Sequence, residues 1–191
     1  ALENGMTLRL LFEQLKNIRE TVNIPLLLMG YLNPVLRMGM ETFLEKSGKT
    51  GIDGIILPDL PLEEYRDVYQ SMFEKHNLHN IFLVTPETTE ERIQQIDRIS
   101  KGFIYLVSAS STTGVKGSFS EYQMEYFKRM QDMKLQNRSL IGFGISSHST
   151  FKNACSYANG AIIGSGFIKA LSGSRGLKEN IHNYINSIKN G

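Results

Sequence analysis

The sequence is poor in cysteine: Cys155 is the only one in 191 residues. An internal disulfide is therefore excluded, and one thiol with four scattered histidines does not offer the spacing of a metal site. Placed among Ala154, Ser156 and Tyr157 on an expected helix, Cys155 reads as a small packing residue, and a lone reduced thiol suits a cytoplasmic setting. Long apolar runs are missing too; the longest, residues 24–29, is far too short to span a bilayer. A net charge of +2, without Lys and Arg interleaved with aromatics, gives no footing for nucleic acid. The most telling scarcity is local. No acid lies between Asp132 and Glu179, where Lys134, Arg138, Lys152, Lys169, Arg175 and Lys178 all fall. A second acid-free interval, from Asp97 to Glu121, holds Arg98, Lys101 and Lys116.

What those intervals do contain is glycine at strand ends. Gly142-Phe143-Gly144-Ile145-Ser146-Ser147 follows a buried strand at 139–141 and precedes a helix over 148–158, with Ser146 or Ser147 as its N-cap. Ala161-Ile162-Ile163 leads into Gly164-Ser165-Gly166 and a short helical run over 167–171. At such corners the backbone can approach an anion closely and turn its N–H groups towards it. Two adjacent corners in an acid-free region point to one site for a dianionic phosphate.

The remaining periodicity gives the architecture. Leu8, Leu11, Leu15, Ile18 and Val22 share one face of a helix over 6–22. Strands are expected at 24–31, 53–57, 81–84 and 103–108, and helices at 34–47, 63–76, 89–99 and 120–133. A helix over 177–188 closes the chain, with Leu177, Ile181, Tyr184, Ile185 and Ile188 inward. Strands apolar on both faces, each followed by a helix, make a parallel sheet covered by helices, and nothing interrupts them as a linker would. Residues 1–191 thus read as one α/β domain. Six such units suit an open doubly wound sheet or most of a (β/α)8 TIM barrel. The dinucleotide fingerprint is incomplete, since Ser147 stands where a third glycine belongs. A phosphate site on the last two strand-ending loops is a barrel's habit.

In a barrel the chemistry sits at the C-terminal ends of strands. Those ends offer Tyr31 and Asn33, then Asp59, then Thr85 and Glu87, then Ser108 with the small polar loop 110–117. Asp59, between Pro58 and Pro61, is the only carboxylate directly at a strand end, and it reads equally as a turn or N-cap residue. Tyr105 points inward if Ile104 and Leu106 point outward. No Ser-His-Asp order and no strand-end lysine stands out as a nucleophile, so acid-base chemistry on a phosphorylated compound is the expectation.

Leu28-Met-Gly-Tyr-Leu-Asn-Pro34, Gly54-Ile-Ile-Leu-Pro-Asp-Leu-Pro-Leu-Glu-Glu64, Phe103-Ile-Tyr-Leu-Val-Ser108, Thr113-Gly114, Gly142-Phe-Gly-Ile-Ser-Ser147 and Ala161-Ile-Ile-Gly-Ser165 resemble, in order and spacing, the tryptophan synthase α subunit family. The resemblance implies a (β/α)8 barrel that cleaves indole-3-glycerol phosphate to indole and glyceraldehyde 3-phosphate by a retro-aldol step. It implies that Gly114, Gly144, Gly164 and Ser165 hold the phosphate, that Thr113 helps position a catalytic aspartate, and that Tyr105 lies beside the glycerol chain. It also implies that Ile56 lines the indole pocket, and that Asn33, Asp59 and Pro61 lie on the face docking onto the β subunit of an α2β2 heterotetramer. No cofactor is implied in this chain; pyridoxal phosphate belongs to the β subunit. At 109–112 the chain reads Ala-Ser-Ser-Thr, where many relatives carry another pattern. A related phosphate barrel, such as an isomerase or epimerase, and a regulatory subunit without chemistry of its own are the other readings.

The chain departs from the family most at its front, where the family's principal Glu and Asp belong upstream of Ala1. The expectation is that these 191 residues alone are inactive and expose unpaired sheet edges. An indole-release assay on this polypeptide checks it: no turnover is expected, and measurable indole would refute it.

Overall fold

The computed structural model describes residues 5–108, 119–173 and 176–191. It forms two compact units, one of Ala1–Phe82 with Ile99–Gly102, the other of Leu83–Arg98 with Phe103–Gly191. Among the described residues every strand pairing is parallel.

In the first unit, Thr7 caps α1 (Leu8–Leu15) by accepting the Leu10 N–H at 3.1 Å. A 3-10 turn, Ile18–Glu20, leads to β1 (Leu27–Met29), α2 (Leu32–Met38) and α3 (Met40–Thr50). Next come β2 (Gly54–Ile56), then α4 (Leu62–Glu64) and α5 (Gln70–Lys75) joined by a π turn at Tyr65–Tyr69, then β3 (His79–Asn80). The strands run in the order β1-β2-β3, with Leu27 opposite Gly54 and Gly54 opposite His79. Leu44, Ile55 and Phe73 are fully buried, and edge-on ring contacts of Phe12 with Phe43 and of Tyr65 with Phe73 and Phe82 fill the space between helices and sheet. Burial pushes the Tyr65 phenol up to about 12. Arg19 ties the starts of two strands together: its guanidinium donates to the carbonyls of Gly51 and Ile24 and to the Asp53 carboxylate, which also accepts the Leu26 N–H at 2.7 Å.

The second unit opens with β4 (Leu83–Val84) and continues through α6 (Glu90–Ile99), β5 (Phe103–Val107), α7 (Glu121–Asp132) and β6 (Arg138–Gly142). It ends with α8 (His148–Tyr157), β7 (Ala161–Ile162), α9 (Ser165–Leu171) and α10 (Leu177–Lys189). Its strands run β4-β5-β6-β7 in sequence order, as successive βα units require. The face of α7 holds the end of β4. Tyr126 donates its hydroxyl to Val84 O at 2.8 Å and Arg129 donates to Pro86 O at 2.8 Å. Asp97 on α6 is a buried carboxylate whose partners are all neutral: the N–H groups of Gln136 and Asn137 at 2.8 and 2.9 Å, and the Asn137 side-chain amide at 2.9 Å. It fixes the turn that starts β6.

Several elements differ from their sequence patterns for local reasons. The helix expected over 34–47 is two, broken at Gly39, whose φ is +90°. The helix expected over 6–22 stops at Leu15, because residues 18–20 follow the Arg19 anchor. The strand expected over 81–84 is split, with Ile81 N–H still bonded to Ile55 O and Leu83 paired with Tyr105. The β1 strand is not apolar-buried on both faces; Leu27 and Met29 are exposed. The inward set on α10 divides into two stripes. Asn180, Tyr184 and Ile188 face their neighbours through the Gly173 carbonyl, the Phe167 ring and burial, whereas Leu177 is 61% and Ile185 41% exposed. Cys155 is exposed, so it is not the packing residue its small neighbours suggest; Ala154 beside it takes the buried position.

Among the described residues, no helix is long and apolar enough to cross a membrane. Replacing Asp97 by Ala leaves the part-buried N–H groups at 136 and 137 without their acceptor, and urea unfolding should show a loss of about 2 kcal/mol. A loss under about 0.5 kcal/mol would mean the turn before β6 is held by something else.

Candidate phosphate-binding site

The register of the second unit lines up three strand ends. Val107 lies opposite Gly142, and Gly142 opposite Ile162, so Ser108, the Phe143-Gly144 corner and the Ile163-Gly164 corner all follow at one end of the sheet. Ser108 N–H extends the ladder by one bond, to Gly142 O at 3.1 Å. Phe143 and Gly144 both have positive φ, +68° and +74°, and Phe143 is a non-glycine residue in the left-handed region. Such backbone carries a cost of order 1 kcal/mol and persists only where its surroundings hold it.

The donors then sort themselves. Ser147 is the N-cap of α8, and Thr150 completes a reciprocal box with it. The Thr150 hydroxyl accepts the N–H groups of both Ser146 and Ser147 at 3.1 Å, so these two amides are spoken for. The N–H groups of Gly144 and Gly164 have no hydrogen-bond partner among the described residues. A Cβ built on Gly164 would meet nothing within 4 Å, and one on Gly144 only Ser108 Oγ at 3.9 Å, which leaves open space over both corners. The corners are neighbours: a Cβ on Gly166, in the first turn of α9, would lie 3.3 Å from Ser146 Cβ and 2.4 Å from the Tyr184 hydroxyl. Tyr184 in turn donates to Ser146 O at 3.4 Å. Residues 133–178 themselves contribute no carboxylate to oppose the amide dipoles.

Tyr105 forms the floor beside this corner. It is 5% exposed and tilted against the Phe143 ring at 5.7 Å, and burial raises its phenol pKa, so the hydroxyl is neutral. Its partner residue is Leu140, and the diagonal position on the same face is Gly142, where a Cβ would sit 2.2 Å from the Tyr105 hydroxyl. Only glycine fits there.

Of the residues singled out from sequence, Tyr105, Gly144, Gly164 and Ser165 stand around these strand ends. Thr113 and Gly114 lie outside the described residues. Ile56, in the first unit, is buried at the end of β2. Asn33 and Pro61 are exposed at the starts of α2 and α4. Asp59 is exposed, and its two carboxylate oxygens accept the Leu32 N–H at 2.9 and 3.0 Å, so it serves the first turn of α2 and brings the Asn33 and Asp59 segments side by side. Sequence reading named Ser108 as a strand-end residue and Tyr184 as an inward one without giving either its bond here, and it missed Gln123 and Thr150. Ser108, Gln123 and Tyr184 act through cross-element bonds that no spacing announces, Thr150 through a cap completed by threonine.

A family model described as the tryptophan synthase alpha chain matches residues 1–190. The chain belongs to the tryptophan synthase alpha chain family. Within it, the alpha chain of Flavobacterium psychrophilum is 58% identical over 172 residues, covering 90% of this chain and 68% of the relative. That of Flavobacterium johnsoniae is 51% identical over 189 residues, covering 99% and 74%. The solved tryptophan synthase α-subunit of Pyrococcus furiosus superimposes with a TM-score of 0.86 at 29% identity, covering 98% of this chain and 76% of that one. A structure of the P. furiosus tryptophan synthase α2β2 complex matches with a TM-score of 0.85 at 30% identity, over 98% of this chain and 76% of that one. The fold class is accordingly that of the tryptophan synthase α TIM barrels, with about six parallel βα units here, and the chain is a lyase subunit of tryptophan biosynthesis. The doubly wound alternative falls away.

Gly142→Ala forces its new methyl into the Tyr105 phenol and should cost about 2 kcal/mol in urea unfolding, while Gly164→Ala, with open space and negative φ, should stay within about 0.5 kcal/mol. Equal costs at the two positions would show that the Tyr105 contact does not decide.

Proposed function

We propose that this tryptophan synthase α chain binds indole-3-glycerol phosphate by its phosphate and serves its retro-aldol cleavage to indole and glyceraldehyde 3-phosphate. One observation carries the reading: two glycine N–H groups, at 144 and 164, are left without partners among the described residues at neighbouring strand ends in an acid-free stretch. These amides, with Ser165 at the start of α9, hold the phosphate; Gly114, outside the described residues, is assigned with them on family resemblance.

In the reaction the bond between indole C3 and the adjacent glycerol carbon breaks. The glycerol hydroxyl loses its proton as its carbon becomes an aldehyde, and C3 of indole gains one, so no electrons enter or leave. The residues described here bind and orient. Anchoring a group remote from the breaking bond fixes the glycerol chain, and that fixed geometry lowers the barrier without touching the reacting carbon. Tyr105, a neutral buried phenol, stands beside the chain; Ile56 is assigned to the indole on family resemblance alone. Thr113 is assigned to the closing of the site by resemblance alone.

The partner is a tryptophan synthase β subunit in an α2β2 assembly in the cytoplasm, with pyridoxal phosphate on the β side and no cofactor on this one. Asn33, Asp59 and Pro61 form the docking surface; the Asp59 bond to Leu32 N–H holds two of its segments together. Calorimetric titration with glycerol 3-phosphate tests the site: Gly144→Val, which fills the open space over the corner, should weaken binding by tenfold or more (about 1.4 kcal/mol or above) and leave uncharged indole unaffected. Unchanged affinity for the phosphate ester would contradict the assignment.

A further inference from the structure

Ser108 is the polar side chain best enclosed at this end of the sheet, 1% exposed and directly after β5. Its Oγ donates to the carbonyl of Phe143 at 2.5 Å. Its own N–H goes to Gly142 O at 3.1 Å, and its own carbonyl accepts the side-chain amide of Gln123 at 2.7 Å. Gln123 is fixed in turn, because its Oε1 accepts the Ser120 N–H at 2.8 Å in the box that caps α7. Ser108 is thus held from the neighbouring strand and from a helix, and it applies one bond outward.

That bond falls on a consequential atom. The Phe143 C=O and the Gly144 N–H are opposite ends of a single planar trans peptide, so a donor fastened to the oxygen fixes the direction in which the N–H points. The peptide lies between two residues of positive φ, +68° and +74°, of which the first is a phenylalanine that would relax to negative φ if free to do so. Rotation of this peptide changes ψ of Phe143 and φ of Gly144, and glycine tolerates either sign of φ, so without a tether the Gly144 N–H could turn away from the open space above it. Donation to the carbonyl also polarises the peptide and strengthens its N–H as a donor.

We propose that Ser108, held by Gln123, is a positioning residue that aims the Gly144 N–H at the substrate phosphate. The proposal rests on the reading of Gly144 as a phosphate donor. It makes Ser108 act through the backbone: the residue sets affinity for the phosphate group and not for the apolar part of the substrate.

The test is an amide NMR titration of the full protein with inorganic phosphate, with indole as an uncharged control. In the unsubstituted protein the Gly144 resonance should move and saturate; if it does not, the phosphate reading falls and the proposal with it. Ser108→Ala should bind phosphate about tenfold more weakly and bind indole as before, and Ser108→Thr, which keeps a hydroxyl, should recover most of the loss. A merely structural serine would lower the melting temperature of both variants and leave the phosphate affinity of the folded protein alone. Native phosphate affinity in Ser108→Ala overturns the proposal while leaving the Gly144 site standing. Should Ser108→Ala fail to fold, Gln123→Leu decides: it keeps the serine and removes the partner of its carbonyl, together with the Gln123 half of the α7 cap, with about threefold weaker phosphate binding of the folded protein expected and no change contrary.

Discussion

The parallel pairing of β5 with β6 is the constraint on which the site depends. Five residue pairs set its register, from Phe103 opposite Arg138 to Val107 opposite Gly142. Because side chains alternate between faces, a slip of one residue would send Tyr105 to the wrong face and separate Ser108 from the Phe143 carbonyl. The register also explains why position 142 has no side chain: the phenol on the diagonal neighbour already occupies that space. The same pairing thus places the floor, the corner and the serine behind it.

Around that frame, hydrogen bonds divide the amides at the strand ends into used and free. Thr150 takes those of Ser146 and Ser147, while those of Gly144 and Gly164 remain without a partner among the described residues. A small number of fixed donors suits a dianion better than many mobile lysines, since the backbone gives up no side-chain freedom on binding. The first unit does a different job. Its polar anchors, Arg19 with Asp53 and Asp59 with the Leu32 N–H, join strand starts and strand ends to neighbouring segments.

Much of this was legible in the order of residues. The glycine corners, the acid-free interval and the helix periodicity each express a local requirement, and local requirements leave local patterns; β5, β6, α7 and α8 match their expected spans within a residue or so. What escaped depends on partners distant in sequence. Whether Leu177 or Asn180 faces inward on α10 depends on where Gly173 and α9 lie, and apolar spacing alone favoured the leucine. Asp59 read as the cap of its own turn, yet it serves a helix that begins 27 residues earlier. Ser108 looked like one more small polar residue at a strand end, and only the backbone direction at Phe143 gives its hydroxyl a purpose. Thr150 was hidden because a threonine stands where a glutamate or glutamine usually completes the cap.

The central claim is that two glycine amides from adjacent strand ends converge on one phosphate. A crystal structure with glycerol 3-phosphate bound measures this directly. Phosphate oxygens should lie within about 3 Å of the Gly144 and Gly164 nitrogens at once. A phosphate held by lysine side chains elsewhere, or reaching only one of the two amides, would contradict it.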